Sequence, residues 1–365
     1  MKKFAAVILI LFAFVSCSFA EEKFRISHQT TFGGIIIDCS IEKFNSLGFE
    51  YGDSVNINFS NGKTLTDIPY YNGYYTKIGD PILIAYPGRE NIWLQNNFGS
   101  DSWLDLGMKE SDSVIISLNQ RGKYKAVQEA RDIKYFNDRN LYASDEVFAN
   151  FRAMNIGRLK KNFVYRSASP CDNEHNRASY VDKLIKREGV KYILNLADND
   201  ENIKKIIAKS DFNSPYFLNL YENKCVFPIK LGADFHSDTY RKKLADGLAE
   251  LSKHEGPYLI HCLEGKDRAG FASVVIGALA GASYDELVND FMLSYANYYG
   301  ITRENEPSKY NVLVSEIFDE MLKFVVNNEN VDMKSINLAP YAEKFLLDSG
   351  MSESDLDALK SRIMN

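Results

Sequence analysis

The chain has 365 residues, 45% hydrophobic and 25% charged, a globular composition long enough for two or three domains. Its 43 basic residues against 49 acidic ones leave a net charge of −6, which argues against a nucleic-acid partner held by a basic surface. An acidic chain that binds an anion must concentrate positive potential locally, where backbone N–H groups and one or two cations converge.

In chain order, Met1 to Lys3 followed by the apolar run Phe4 to Val15 has the charged head and short hydrophobic stretch of an export signal. The run is too short for a permanent membrane helix. Residues 1–20 read as a signal peptide cleaved after Ala20, and its loss leaves a charge of about −8. Phe14 to Cys17 supports a competing reading as a lipoprotein box, and lipid on Cys17 would then be the one route to a membrane. The expected location is outside the cytoplasm: periplasmic, cell-surface or secreted. Of the cysteines that remain, Cys39, Cys171, Cys225 and Cys262 are spaced too irregularly for a disulfide framework or a zinc cluster. Neither metal nor cofactor is expected, and at least one thiol should be free.

Residues 21–122 alternate β-rich runs with turn signals: Gly33 to Asp38, Ser54 to Phe59, Pro81 to Tyr86 and Ser113 to Leu118. With few helical periods between them, they predict a small β-barrel or sandwich. Leu47 to Val55, Gly79 to Leu83, Asn96 to Ser100 and Leu106 to Val114 together resemble the C-terminal barrel of S-adenosylmethionine hydrolases and halogenases. That resemblance implies a shared fold, with a scaffold or targeting role set beside binding of a nucleoside or a partner.

Residues 123–160 are charged and read as a helical linker, with Ser144 to Arg152 a capped amphipathic helix. From residue 161 to 365 short apolar runs alternate with helical periods: Phe163 to Tyr165, a helix over 178–188, Lys191 to Leu196, a helix over 238–254, then Tyr258 to His261 and a long helix. This alternation predicts an α/β domain, a mostly parallel sheet flanked by helices, and makes the chain multidomain. Tyr284 to Tyr298 and Lys309 to Val326 keep helical periodicity, and Ser352 to Asp355 is a capping box before the last helix.

Two segments carry a cysteine followed six residues later by arginine. Cys171 to Arg177 follows Pro170, contains no glycine and holds two acidic residues, so it reads as a chance match. Cys262 to Arg268 differs in context: a strand precedes it, Gly265 lies mid-loop, and a helix from Arg268 follows with Phe271, Val274, Val275, Ala278 and Leu279 on one face. Strand, loop and helix N-terminus form an anion nest in which the N–H groups from Leu263 to Arg268 converge on a phosphate with no metal. The same field favours the Cys262 thiolate, a nucleophile, while the planar fork of Arg268 can hold two phosphate oxygens at once. Leu263, Glu264, Gly265, Lys266, Ala269 and Gly270 complete the expected binding loop.

The segment His261 to Gly270 resembles the signature of protein-tyrosine and dual-specificity phosphatases. Its Gly265-Lys266-Asp267-Arg268 form is similar to bacterial atypical tyrosine phosphatases, some of which also take phosphoinositides. Val164 to Ser169, Gly189 to Leu196, Tyr341 to Leu346 and Gly350 to Leu356 extend the resemblance over residues 155–363. It implies hydrolysis of phosphate monoesters through a phosphocysteine. The chain departs from the pattern at Ala269, where the family usually has a hydroxyl residue, and at Asn195 to Asp198, which lacks the usual arginine.

The leaving oxygen needs a proton from a carboxylic acid. Asp267, inside the loop, is the first candidate, and Asp234, 28 residues before Cys262, the second; Asp198 and Asp200 follow, and Asp238 reads as a helix cap. Lys266 reads either as a cation for polyanionic substrates or as a solvated surface lysine, and His261 as a residue that holds the loop. Expected substrates are phosphoproteins, phosphoinositides or inositol phosphates. The readings from other classes are a phospho-ligand module that keeps the nest but turns over poorly, and a binding protein whose working part is the barrel.

Overall fold

The computed structural model describes residues 22–328 and 330–365, so the expected signal peptide, residues 1–20, and with it Cys17 lie outside the described residues. The chain divides into two units after Gln128.

The first unit is a closed barrel of seven strands: β1 (Lys23–His28), β2 (Ile35–Ser40), β3 (Ser54–Phe59), β4 (Thr64–Tyr71), β5 (Pro81–Ile84), β6 (Asn91–Asn96) and β7 (Ser113–Gln120), in the order β1-β2-β6-β5-β4-β3-β7. Neighbours pair antiparallel except β4 and β5, which are parallel. Closure follows from period-two alternation: Ile35, Ile37 and Cys39 of β2 and Val55, Ile57 and Phe59 of β3 face the apolar interior, and no strand is left as an unpaired edge.

The second unit is built on a five-stranded sheet of β8 (Arg152–Ala153), β9 (Val164–Ser167), β10 (Tyr192–Asn195), β11 (Val226–Pro228) and β12 (Tyr258–His261), ordered β11-β10-β12-β9-β8. The first four in that order pair parallel, and the two-residue β8 is antiparallel at one edge. Val164, Tyr192, Leu194, Tyr258 and Ile260 enter one apolar core, while Tyr165, Ile193 and Leu259 enter another on the opposite face. Burial on both faces explains why these strands read as continuous apolar runs. The register aligns His261 with Asn195 on one side and Ser167 on the other, so three carboxyl ends finish level, the position where ligands bind in open parallel sheets.

Three local readings are corrected. The stretch 123–160 is no free-standing linker, because the division falls inside it and residues from Glu129 belong to the second unit. Ser144 does cap a helix, but only Asp145–Phe148, since Asn150 takes φ 50° and the chain then turns into β8. The helix Arg268–Leu279 is buried on every side from Ala269 to Leu279 rather than amphipathic, as befits the central helix of a unit. Further on, Lys309 to Val326 is two α-helical segments joined by a π-helical turn at Val314–Phe318.

Candidate active site

The site grows from the end of β12. His261 is fully buried, and desolvation pushes its imidazole down to about 4. The neutral ring therefore donates from Nδ1 to the Cys262 carbonyl at 3.1 Å, while Nε2 has no partner among the described residues. Cys262 follows at the base of the loop, 3% exposed.

What shapes the loop is the set of donors that hold its carbonyls outward. The Ser169 N–H takes Leu263 O at 2.9 Å; the Tyr298 hydroxyl and the Asn150 amide take Glu264 O at 2.6 and 3.2 Å. Arg166 Nη2 takes both Gly265 O and Lys266 O, at 2.8 and 3.1 Å. Turning a carbonyl outward turns the neighbouring N–H inward, and among the described residues no N–H from Leu263 to Asp267 donates to a protein acceptor. Gly265 makes the turn possible: its φ is +70°, and a Cβ there would lie 2.2 Å from the Ser167 carbonyl oxygen. At Gly270 a Cβ would press on the Phe291 ring at 2.9 Å, so the helix packs close only because that residue is glycine.

Arg166 is itself completely buried and pairs through Nη1 with Asp290 at 2.7 Å. Asp290 also receives Arg152 Nε at 3.1 Å. Burial alone would raise the Asp290 carboxyl, but the two guanidinium charges outweigh it and hold the group below the ordinary carboxylate range. The helix Tyr284–Tyr299 thus supplies an anion that fixes an arginine, and the arginine fixes the loop.

Arg268 is partly exposed at the helix N-terminus and donates to the Leu231 carbonyl at 3.3 Å. Lys266 is not a solvated side chain: 14% exposed, its ammonium lies 3.1 Å from the Tyr299 hydroxyl, 3.4 Å from Glu264 and 3.8 Å from Asp267, against the rings of Tyr295 and Tyr299. Burial would lower it, yet Asp267, Glu264 and the tyrosines hold it well above its usual value. Ala269 is buried and offers no hydroxyl.

The candidate acids separate by environment. Asp267 is exposed and makes no capping bond. Asp234 is half-buried, accepting the His236 N–H at 2.9 Å. Asp198 is 7% exposed and bonded to the Asn195 amide at 3.1 Å; burial raises its carboxyl first, with Asp172 adding, against a pull from Arg268 and Lys230. Asp200 is held low by Lys204 and Tyr221. The cap of the helix Asp238–Ser252 is Ser237, one residue before the expected Asp238, because the serine hydroxyl reaches the Tyr240 N–H.

Elsewhere, Cys171 is buried, its thiol 3.4 Å from the Ser169 hydroxyl and pushed up by burial. Arg177, six residues on, spends its guanidinium on the carbonyls of Phe148, His175 and Phe136. Cys39, Cys171, Cys225 and Cys262 are all free thiols. Arg166, Asp290, Asn150 and Tyr298 are the site residues that sequence reasoning missed; an arginine inside an apolar strand and an aspartate inside a mostly buried helix were the available signals.

A family model described as the tyrosine phosphatase family matches residues 147–365. The chain belongs to the tyrosine phosphatase family. Its second unit is accordingly a tyrosine-phosphatase-like hydrolase of phosphate monoesters. A search of curated proteins found no match. Among solved structures, the phosphatase resembles the core catalytic domain of the PP-IP phosphatase SIW14 from S. cerevisiae in complex with citrate, at 17% identity over 49% of this chain and 92% of that one, with a TM-score of 0.28. An uncharacterized conserved protein from Thermotoga maritima matches at 18% identity and a TM-score of 0.24, over 26% of this chain and 35% of that one. The match thus spans about a third of the Thermotoga protein. The resemblance drawn for residues 47–118 to S-adenosylmethionine enzymes finds no support in these comparisons.

Proposed function

We propose that the protein is an exported phosphatase that cleaves phosphate monoesters through a phosphocysteine on Cys262. The observation that carries this is the ring of outward-held carbonyls around a buried cysteine, which leaves the N–H groups of residues 263–267 free for phosphate oxygens. The Cys262 thiolate attacks phosphorus in line, a sulfur–phosphorus bond forms and the ester oxygen–phosphorus bond breaks. An aspartic acid gives its proton to the departing oxygen. Water then attacks the phosphocysteine, returns a proton to that carboxylate, and the thiolate leaves as phosphate is released. Arg268 clamps the equatorial oxygens. Asp267 and Asp234 are the acids proposed first, and Asp198 joins them because burial favours its protonated form.

The substrate proposed is a singly phosphorylated ester of the phosphotyrosine type. Lys266, the cation that would serve a polyanion, is already balanced by Glu264 and Asp267, so the loop and Arg268 carry positive potential for about one phosphate. Export rests on the sequence of residues 1–20. Phosphate release from p-nitrophenyl phosphate in EDTA tests the chemistry. Activity that disappears in Cys262→Ser supports it; no activity in the wild type, or activity retained in the variant, overturns it. A panel of phosphotyrosine peptide, phosphoserine peptide, phosphoinositide and inositol hexakisphosphate tests the substrate class, and preference for the last would sink it. A second reading, phosphate binding without turnover, is favoured by the missing hydroxyl at Ala269 and predicts binding with no release.

A further inference from the structure

The phosphate loop contains a carboxylate of its own. Glu264 lies two residues after Cys262 in a segment whose N–H groups are arranged for an anion, and a free carboxylate there competes with phosphate for the same positive potential. The Glu264 side chain is instead turned aside and held twice. Its Oε2 faces Lys266 Nζ at 3.4 Å, and its Oε1 accepts the Tyr135 hydroxyl at 2.7 Å. The lysine is a shared partner, standing also 3.8 Å from Asp267 and 3.1 Å from the Tyr299 hydroxyl. Tyr135 is the directed hold.

Tyr135 is in turn fixed for that task. Its ring stacks on Tyr298 with centroids 5.0 Å apart, and Tyr298 is the residue whose hydroxyl holds the Glu264 carbonyl. The buried Arg177 guanidinium packs over both rings, at 4.8 and 4.9 Å. His175 Nε2 lies 3.2 Å from the Tyr135 hydroxyl. One residue of the loop is therefore gripped at its backbone by Tyr298 and at its carboxylate by Tyr135. Tyr135 lies before the residues matched by the family model, 147–365, so the hold on Glu264 comes from outside the matched segment.

We infer that Tyr135 is a positioning residue that keeps the Glu264 carboxylate out of the phosphate nest, so that the anion bound there is substrate and not the loop's own side chain. This rests on the reading of the loop as the phosphate site. Without the hydroxyl, Glu264 is left with a lysine it shares, and its charge reaches the nest. The effect is on anion binding, acts through Glu264 alone and is screened by salt.

The test is a double-variant cycle on the full chain: wild type, Tyr135→Phe, Glu264→Gln and the pair, each titrated calorimetrically with inorganic phosphate and each checked for its melting temperature. Tyr135→Phe is expected to weaken phosphate about tenfold at low salt, and less at 0.5 M salt. In the Glu264→Gln background the same change should do nothing beyond about twofold. Unchanged phosphate affinity in Tyr135→Phe overturns the inference, as does an equal loss in both backgrounds, which marks a merely structural tyrosine. Turnover of p-nitrophenyl phosphate by wild type and Tyr135→Phe is read separately, with KM rising as phosphate affinity falls. Because the binding cycle needs no turnover, an inactive wild type sinks the phosphatase reading, whereas a flat cycle sinks this one.

Discussion

Arg166 and Asp290 meet at 2.7 Å beneath the loop, 124 residues apart in sequence, and tie the helix Tyr284–Tyr299 to the carbonyls of Gly265 and Lys266. The pair is buried, and removing one partner leaves an uncompensated charge. Asp290→Ala should cost about 3 to 5 kcal/mol in denaturant unfolding and, because Arg166 then loses its anchor, should remove measurable turnover even where the protein stays folded. The Asp290 carboxyl is held below its unfolded value, so its contribution is complete above the unfolded carboxylate range, about pH 4, and is lost as acid reaches the lower folded value. Melting curves taken from pH 6 downward should show the wild type losing stability that the alanine variant never had.

His261 adds an acid sensitivity at higher pH. Its folded value near 4 lies below the unfolded value of about 6.5, so between these limits the unfolded chain binds the extra proton. Stability should therefore fall as pH drops from about 6.5 to 4, by about 3 kcal/mol in all, and should be unaffected by this group above 7. His261→Asn keeps a donor for the Cys262 carbonyl and removes the titration. The difference between the two proteins' pH–stability curves is the measurement; a difference that is flat over this window would refute the buried neutral ring.

Gly265→Ala should be the most damaging small substitution in the loop. The added methyl would lie 2.2 Å from the Ser167 carbonyl oxygen and force a side chain into φ +70°. A shift of the loop takes its N–H groups off the phosphate, so turnover should fall by at least about 100-fold with a melting point lowered by several degrees. Gly281→Ala, also at positive φ but with nothing nearer than 3.8 Å, should cost stability and leave kcat near wild type.

How much of this was legible depended on distance along the chain. The strand Tyr258 to His261, the glycine turn and the helix start are contiguous, and local periodicity with one glycine is enough to read them. Four of the seven barrel strands, β2, β3, β5 and β7, were readable for the same reason; β1, β4 and β6 were not, nor were the β2–β6 neighbourhood and the parallel β4–β5 pair, since alternation tells which face is buried and not which strand is next. The residues that aim the loop come from far away: Asn150, Arg166, Asp290 and Tyr298 are polar groups on elements that otherwise read as apolar or as linker. Each announces that it needs a partner, and none announces which one.

The identity of the acid is the remaining prediction, and leaving-group chemistry decides it. Asp267 is exposed at the helix start, Asp234 is half-buried on the loop before the helix Asp238–Ser252, and Asp198 is buried beside Asn195 with its carboxyl raised mainly by desolvation. p-Nitrophenolate departs readily without a proton, whereas phenolate and alkoxides need one. The true acid is the aspartate whose change to asparagine lowers kcat on phenyl phosphate at least about tenfold more than on p-nitrophenyl phosphate. The structure orders the other outcomes as well. Asp198→Asn should disturb both substrates alike if its role is only to accept the Asn195 amide, and Asp267→Asn should act through KM if its charge serves only Lys266. Should all three variants treat the two substrates equally, the proton comes from water, and none of the three aspartates is the acid.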